Sequence, residues 1–258
     1  MKKNILLGIL SSLRFMLRHP TYAPYMILFN FYYLPFKQAI LFPIWILSRN
    51  KQYPKGTITI DSTFIYSGMI KLGLKSYFFH QQGLSYENRG GSIVFKGSCY
   101  ISNESVIDVR SNAELILGDK FGASITKIFC TKKIEFGKNV AIGMNCTLMD
   151  SNFHAIIDIY SKRYLKASGF IKIGNNNWIG HDCVLKKGTH TPNNIIISAR
   201  SIIDRTIKVP DYSIIGTKNS VEILGEGFTT DFDYKILKLG PKKLTEEELN
   251  IILKKKTC

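Results

Sequence analysis

A repeat of six residues constrains this chain more than any other feature of its sequence. Stepping by six from Ile173 meets Ile179, Leu185, Thr191, Ile197, Ile203, Val209, Ile215 and Val221, so every position except Thr191 is aliphatic. Neither a helix, at about 3.6 residues per turn, nor an alternating strand, at a period of about 2, sustains that spacing. A chain that turns a corner every six residues does. Three short strands then close one coil of a triangular prism, and stacked coils align their aliphatic residues into inward columns. Gly follows the aliphatic residue at 174, 180 and 216, as a tight corner favours. Four residues after it stand Cys183, Thr189, Ser201 and Ser213, all small or of middle size. The same register holds from Phe136-Gly137 through Ile142-Gly143 to Leu148, and more weakly at Phe95, Ile101 and Ile107.

Around this repeat the chain divides into three parts. Residues 1–55 are apolar, aromatic and basic; residues 56–226 carry the repeat, with an interrupting loop at 155–172; residues 227–258 form a charged tail. In the tail, Thr245 followed by Glu246, Glu247 and Glu248 reads as the capped start of a short helix ending in Lys254, Lys255 and Lys256. Near the start, Ile5, Leu6, Ile9, Leu10, Leu13 and Leu17 recur at helical spacing among Lys2, Lys3, Arg14 and Arg18, the mix of a helix lying on an anionic membrane. Residues 30–48 read instead as a cap over the open end of the solenoid, which every stacked-coil fold needs. Pro24, Pro35, Lys37 and Pro43 interrupt the apolar run too often for a spanning helix.

Composition narrows the function. The net charge of +16 attracts anions, whether lipid headgroups, nucleic acid or a phosphorylated ligand. No nucleic-acid-binding motif accompanies it, so nucleic acid is set aside. Five cysteines at irregular spacing form neither a disulfide framework nor a metal pattern, and they suit a reducing cytoplasm. Cys99, Cys146 and Cys183 take the small inward slot, which makes them core rather than nucleophile. The histidines at 19, 80, 154, 181 and 190 lack metal-ligand spacing, so no metal site is read.

Three stretches carry a family resemblance: Met149-Asp150-Ser151-Asn152-Phe153-His154, Ile173-Gly174-Asn175-Asn176-Asn177-Trp178-Ile179-Gly180, and Ile197-Ser198-Ala199-Arg200-Ser201-Ile202-Ile203. With the repeat, they resemble the hexapeptide-repeat acyltransferases, and within them the sugar O-acetyltransferases of surface-polysaccharide synthesis. That resemblance implies an all-β fold, a left-handed parallel β-helix, in a homotrimer with active sites between subunits. It also implies acetyl-CoA as donor and a sugar hydroxyl as acceptor, without a metal.

His154 falls where the register breaks, because counting six from Leu148 lands on it and the repeat resumes only at Ile173. An imidazole with a pKa near 6.5 suits removal of a proton from an attacking hydroxyl. The resemblance makes His154 the general base. Asn152 departs from the family pattern, which has Asp there, so an orienting carboxylate must come from elsewhere. Asp150 and Asp158 both stand near enough in sequence to hold the tautomer. Asp158 serves equally well as loop solvation. Trp178 precedes an inward residue and so points outward; by resemblance it lines the cleft between subunits. Gly180, Ser198 and Ala199 are small enough for close backbone approach to a pantetheine chain. By resemblance Ala199, His181 and Arg205 align with cofactor-contact positions, and Arg200, Arg205, Lys208 and Lys218 are cations within reach of its phosphates. The same fold also accommodates an amine or amino-sugar acceptor, or a non-enzymatic scaffold on a membrane surface.

Overall fold

The period of six is realised as a stack of three-sided coils. In the computed structural model, residues 2–50, 55–75, 83–154, 157–158, 163–164, 166–217 and 221–225 are described, with 245, 247, 250 and 251 of the tail. Three parallel sheets form the faces of the prism. The first runs from Ile44–Ile46 through Ile70–Leu74, Cys99–Ser102, Phe121–Ala123, Ala141–Ile142, Trp178–Ile179 and Ile196–Ile197 to Ile214–Thr217. The second stacks Ser85–Asn88, Val106–Val109, Lys127–Cys130, Thr147–Met149, Val184–Lys186 and Ile202–Ile203. The third stacks Thr57–Ile60, Ser92–Phe95, Glu114–Leu117, Lys133–Phe136 and Phe170–Ile173. This is the left-handed parallel β-helix.

The columns follow the expected register. Ile142, Ile179, Ile197 and Ile215 stand above one another on the first face, and Ile128, Leu148, Leu185 and Ile203 on the second. All of them are buried. Thr191, the polar member of the series, is buried and accepts hydrogen bonds at Oγ1 from the Gly174 N–H (3.1 Å) and the Asn177 amide (2.8 Å). A polar group there is tolerated because both donors reach it. Val221 leaves the series. Its strand, Val221–Gly225, turns back antiparallel onto Ile214–Thr217 and covers that edge of the sheet.

The corners work differently from the expectation. Gly174 and Gly180 do not adopt the left-handed conformation; Asn176 and Asp182, two residues later, do, with φ of 55° and 57°. Asn139, Asn145 and Asn194 occupy equivalent left-handed corners. Asn and Asp tolerate that region because their short polar side chains bond locally. Here they also bond between coils: Asn139 donates to Asn176 (3.0 Å), Asn176 to Asn194 (2.9 Å) and Asn194 to Asp211 (2.8 Å). The glycines are required by stacking distance instead. A Cβ on Gly174 would lie 2.2 Å from the Pro192 carbonyl oxygen of the next coil. Gly174→Ala should therefore destabilise the fold by about 2 kcal/mol or more. Gly122→Ala, where a Cβ would meet nothing within 4 Å, should leave the thermal midpoint unchanged or raise it. Comparison of the two melting curves checks this directly.

The coil begins inside the segment expected only to cap it, since Ile44–Ile46 pairs with Ile70–Leu72. Three helices precede it: α1 (Lys2–Arg18), α2 (Ala23–Tyr33) and α3 (Phe36–Ala39). Capping extends into residues 1–28, the part read as membrane contact. Met26, Phe29 and Asn30 of α2 are buried. The Asn30 side chain behaves like a neighbouring strand, accepting from the Ile44 N–H (3.1 Å) and donating to the Ile44 carbonyl (2.8 Å). From α1, Phe15 stacks on Trp45 at 4.3 Å, and the Ser12 hydroxyl accepts from the Trp45 indole at 2.9 Å. No helix among the described residues is long and apolar enough to cross a membrane. Of the helix expected at 245–256, most lies outside the described residues; Glu247, Asn250 and Ile251 are helical.

Candidate active site

The interruption of the repeat is closed at its neck like a hairpin. Ser151 bridges Ser168 antiparallel, Asn152 N–H donates to the Ala167 carbonyl (2.9 Å), and Gly169 N–H donates to the Asp150 carbonyl (2.8 Å). The coil resumes at Phe170, three residues earlier than the resumption expected at Ile173. Beyond the neck, Ile157–Asp158 pairs antiparallel with Arg163–Tyr164. Phe153 adopts φ of 57°, its N–H donates to the Ser151 hydroxyl (3.0 Å), and its ring meets Phe129 edge-on at 5.9 Å. The residue after this anchored ring is His154, which is exposed at the corner between the second and third faces. A fixed neck with an accessible imidazole at its exit is an arrangement able to take a proton from a bound hydroxyl.

Asp150 does something else. Its carboxylate is fully buried and accepts four hydrogen bonds: from the Thr131 N–H and hydroxyl (both 2.7 Å), the Lys132 N–H (2.7 Å) and the Lys133 N–H (2.9 Å). A carboxylate has about four acceptor positions, so none is left for an imidazole. The orienting role read for Asp150 is corrected accordingly; this residue fastens the preceding coil's corner beneath the loop. Asp158 lies in the loop hairpin, and its side chain falls outside the described residues.

The residues expected at the donor site gather at another corner, between the first and second faces. Gly180 is buried there, and a Cβ on it would lie 2.6 Å from Ala199 N. The next coil, rather than a ligand, uses the space that Gly180 leaves. Its N–H is also committed, donating to the Ile197 carbonyl (2.8 Å). Ser198 is similarly occupied: its N–H donates to Ile215 (2.8 Å), and its carbonyl accepts from the Ser201 hydroxyl (2.6 Å) and the Cys183 thiol (3.2 Å). Of the three small residues, Ala199 is the exposed one.

Beside Ala199, His181 belongs to a group whose other members, Asp182 and Asn145, the sequence reading passed over. His181 Nδ1 lies 2.9 Å from Asp182 Oδ2, while Asp182 Oδ1 accepts from Asn145 (2.7 Å). The Asn145 hydrogen bond, then His181, hold the Asp182 carboxyl below the usual range. The visible signal was the corner register that places Asn145 and Asp182 one coil apart. Arg200 reaches toward the same carboxylate at 4.0 Å.

Trp178 points outward on the first face, 43% exposed, beside Ala141 and Ile196 on the neighbouring strands. Arg205 lies elsewhere, at the corner after Ile202–Ile203, paired with Asp204 at 3.1 Å. It shares the edge between the second and third faces with the His154 loop, not the edge with Ala199. Lys208 is exposed, and Lys218 lies outside the described residues. Burial pushes the thiols of Cys99 and Cys130 far up, which suits core packing and not nucleophilic attack.

No family model and no curated protein matches the chain. Among solved structures it is similar to the polySia-specific acetyltransferase NeuO, with 17% identity over 77% of this chain and 88% of that one, at a TM-score of 0.47. It is also similar to a hexapeptide-repeat-containing acetyltransferase from Vibrio cholerae O1 biovar eltor in complex with acetyl coenzyme A. That match has 17% identity over 55% of this chain and 70% of that one, with a TM-score of 0.37. A third is a mutant of AntD, an N-acyltransferase from Bacillus cereus, in complex with dTDP and coenzyme A. It has 15% identity over 76% of this chain and 91% of that one, with a TM-score of 0.39. These likenesses concern the stacked-coil fold, which the chain's own strand ladders already establish.

Proposed function

We propose that the chain is an O-acetyltransferase that moves acetyl from acetyl-CoA to a sugar hydroxyl of a surface polysaccharide, capsule or lipopolysaccharide, or of its precursor. The observation that carries this reading is His154, held accessible at the exit of a hydrogen-bonded loop neck, in the stretch that resembles sugar O-acetyltransferases. In the reaction the acceptor oxygen attacks the thioester carbonyl carbon. His154 accepts the hydroxyl proton, the carbon–sulfur bond breaks, and the proton passes to the departing thiolate. No acyl-enzyme forms, in keeping with the buried thiols.

His154 and Ala199 occupy different edges of one coil stack, with the second face between them. That separation supports a homotrimer, in which the loop of one chain meets the Ala199 corner of the next. Trp178 then lines the cleft, and His181 and Arg200 supply nearby hydrogen-bonding and cationic groups for the donor. The acceptor is made and modified on the cytoplasmic side, where acetyl-CoA is available.

Purified protein given acetyl-CoA and sugar acceptors should release free coenzyme A thiol only when an acceptor hydroxyl is present. Acceptor-independent release, or none with any hydroxyl acceptor, overturns the reading. Ala199→Trp should abolish coenzyme A binding by calorimetry, since its indole fills the one exposed small position at that corner. The inward columns, and hence the melting curve, should be unaffected. Unchanged affinity would place the donor elsewhere.

A further inference from the structure

The two sides of α1 have opposite partners, and only one of them is the protein. At about 100° per residue, Gly8, Ser12, Phe15 and Met16 share one side. Ser12, Phe15 and Met16 are buried, with Ser12 hydrogen bonded to Ser67 (2.5 Å) and Phe15 stacked on Trp45. A Cβ on Gly8 would come within 3.2 Å of Ser67, so the helix lies close against the coil. Leu6, Leu10, Leu13 and Leu17 fall in a sector of roughly 60° on the opposite side. Each is exposed, Leu17 by 80%. The next two helices repeat the theme, leaving Leu28, Phe31 and Phe36 exposed.

Exposed leucines in a single helical stripe contribute little to the fold, since the α1 side chains it buries, Ser12, Phe15 and Met16, are on the other side. Large outward apolar patches mark a binding surface. The charge around the stripe identifies what it binds. No Asp or Glu occurs before Asp61, while α1 carries Lys2, Lys3, Arg14 and Arg18 and α3 carries Lys37. Arg14, Arg18 and Lys37 are exposed. Leucines inserted below the headgroups, with cations at headgroup level and no acid to repel them, complement an anionic bilayer surface.

We propose that α1 is a membrane-docking helix, held to the first coil by Ser12 and Phe15 so that its leucine stripe faces anionic lipid. It lies in the interface and does not cross it, since no described helix is long enough for that. The helix that covers the end of the β-helix thereby also fixes the orientation of the coil axis to the membrane. This placement is independent of the catalytic assignment, because it is read from vesicle binding alone.

The test is sedimentation of the full chain with vesicles at low salt. Protein should pellet with phosphatidylglycerol-containing vesicles and stay in the supernatant with pure phosphatidylcholine. Leu10→Glu with Leu13→Glu should cut the bound fraction at least tenfold, while the melting temperature stays that of the parent, as both leucines lie outside the packing. Arg14→Glu with Arg18→Glu should weaken binding and remove its dependence on anionic lipid. If the parent chain ignores both vesicles, or the leucine variants bind as tightly as the parent, the proposal fails. It fails equally if those variants change only the particle mass in light scattering, since the stripe would then join copies of this chain.

Discussion

His154→Ala is expected to lower acyl transfer by a factor of about 10² to 10⁴, the range for removing a general base. The imidazole is exposed, and Phe153 next to it anchors the loop, so the substitution removes the proton acceptor and little else. Donor affinity and the melting curve should match the parent. Steady-state rates at saturating acetyl-CoA, read beside calorimetric coenzyme A binding, separate loss of chemistry from loss of binding. His181→Ala makes the informative comparison. That imidazole has a carboxylate partner, Asp182, at 2.9 Å, so on local geometry alone it is the better supported of the two. A full-strength His154→Ala variant together with a dead His181→Ala variant would move the base to the other corner. The expected result is the reverse, with His181→Ala affecting chiefly the affinity for the donor.

The second large effect is on stability. Asp150→Asn keeps the volume but turns an amide toward donors. One oxygen can still accept from Thr131, whereas the new NH2 confronts the N–H groups of Lys132 and Lys133. Leaving a buried donor without a partner costs about 1–3 kcal/mol, so two such donors, partly reached by solvent, should cost about 3 kcal/mol in all. Denaturant or thermal unfolding measures this. Activity should fall with it, because the Asp150 carbonyl also accepts from Gly169 at the loop neck that presents His154. A variant that melts like the parent but is slow would restore the orienting role to this carboxylate.

Much of the architecture was legible because the inward columns are a one-dimensional property. Each aliphatic residue of the Ile173–Ile215 series contacts its equivalents about one coil away, so a fixed sequence interval becomes a fixed spatial direction. The break at His154 was legible for the same reason, since a lost interval is as visible as a kept one. Less local features were misread. Glycine after the aliphatic residue suggested only a tight corner; the left-handed residues there are Asn176 and Asp182, and Gly174 is set by the carbonyl of the next coil. Val221 fits the interval but turns back, because a sheet edge is covered by whatever strand can pair with it.

The sequence by itself determined that the chain coils with a period of six, where the coil is interrupted, that Cys99, Cys146 and Cys183 are interior, and that its first helix is apolar and basic. Those facts depend on spacing and composition along the chain. Only the tertiary structure decided which polar atoms are already spoken for. Asp150 looked like a partner for His154 because four positions separate them; its carboxylate is instead saturated by a corner reached some 20 residues earlier. Asn30, one polar residue in an apolar helix, pairs with Ile44 as a strand would. Gly180 looked like room for a ligand, and Ala199 fills it. A hydrogen bond or a close contact consumes a site's capacity from a distance in sequence that no interval encodes, so availability for chemistry is settled in three dimensions.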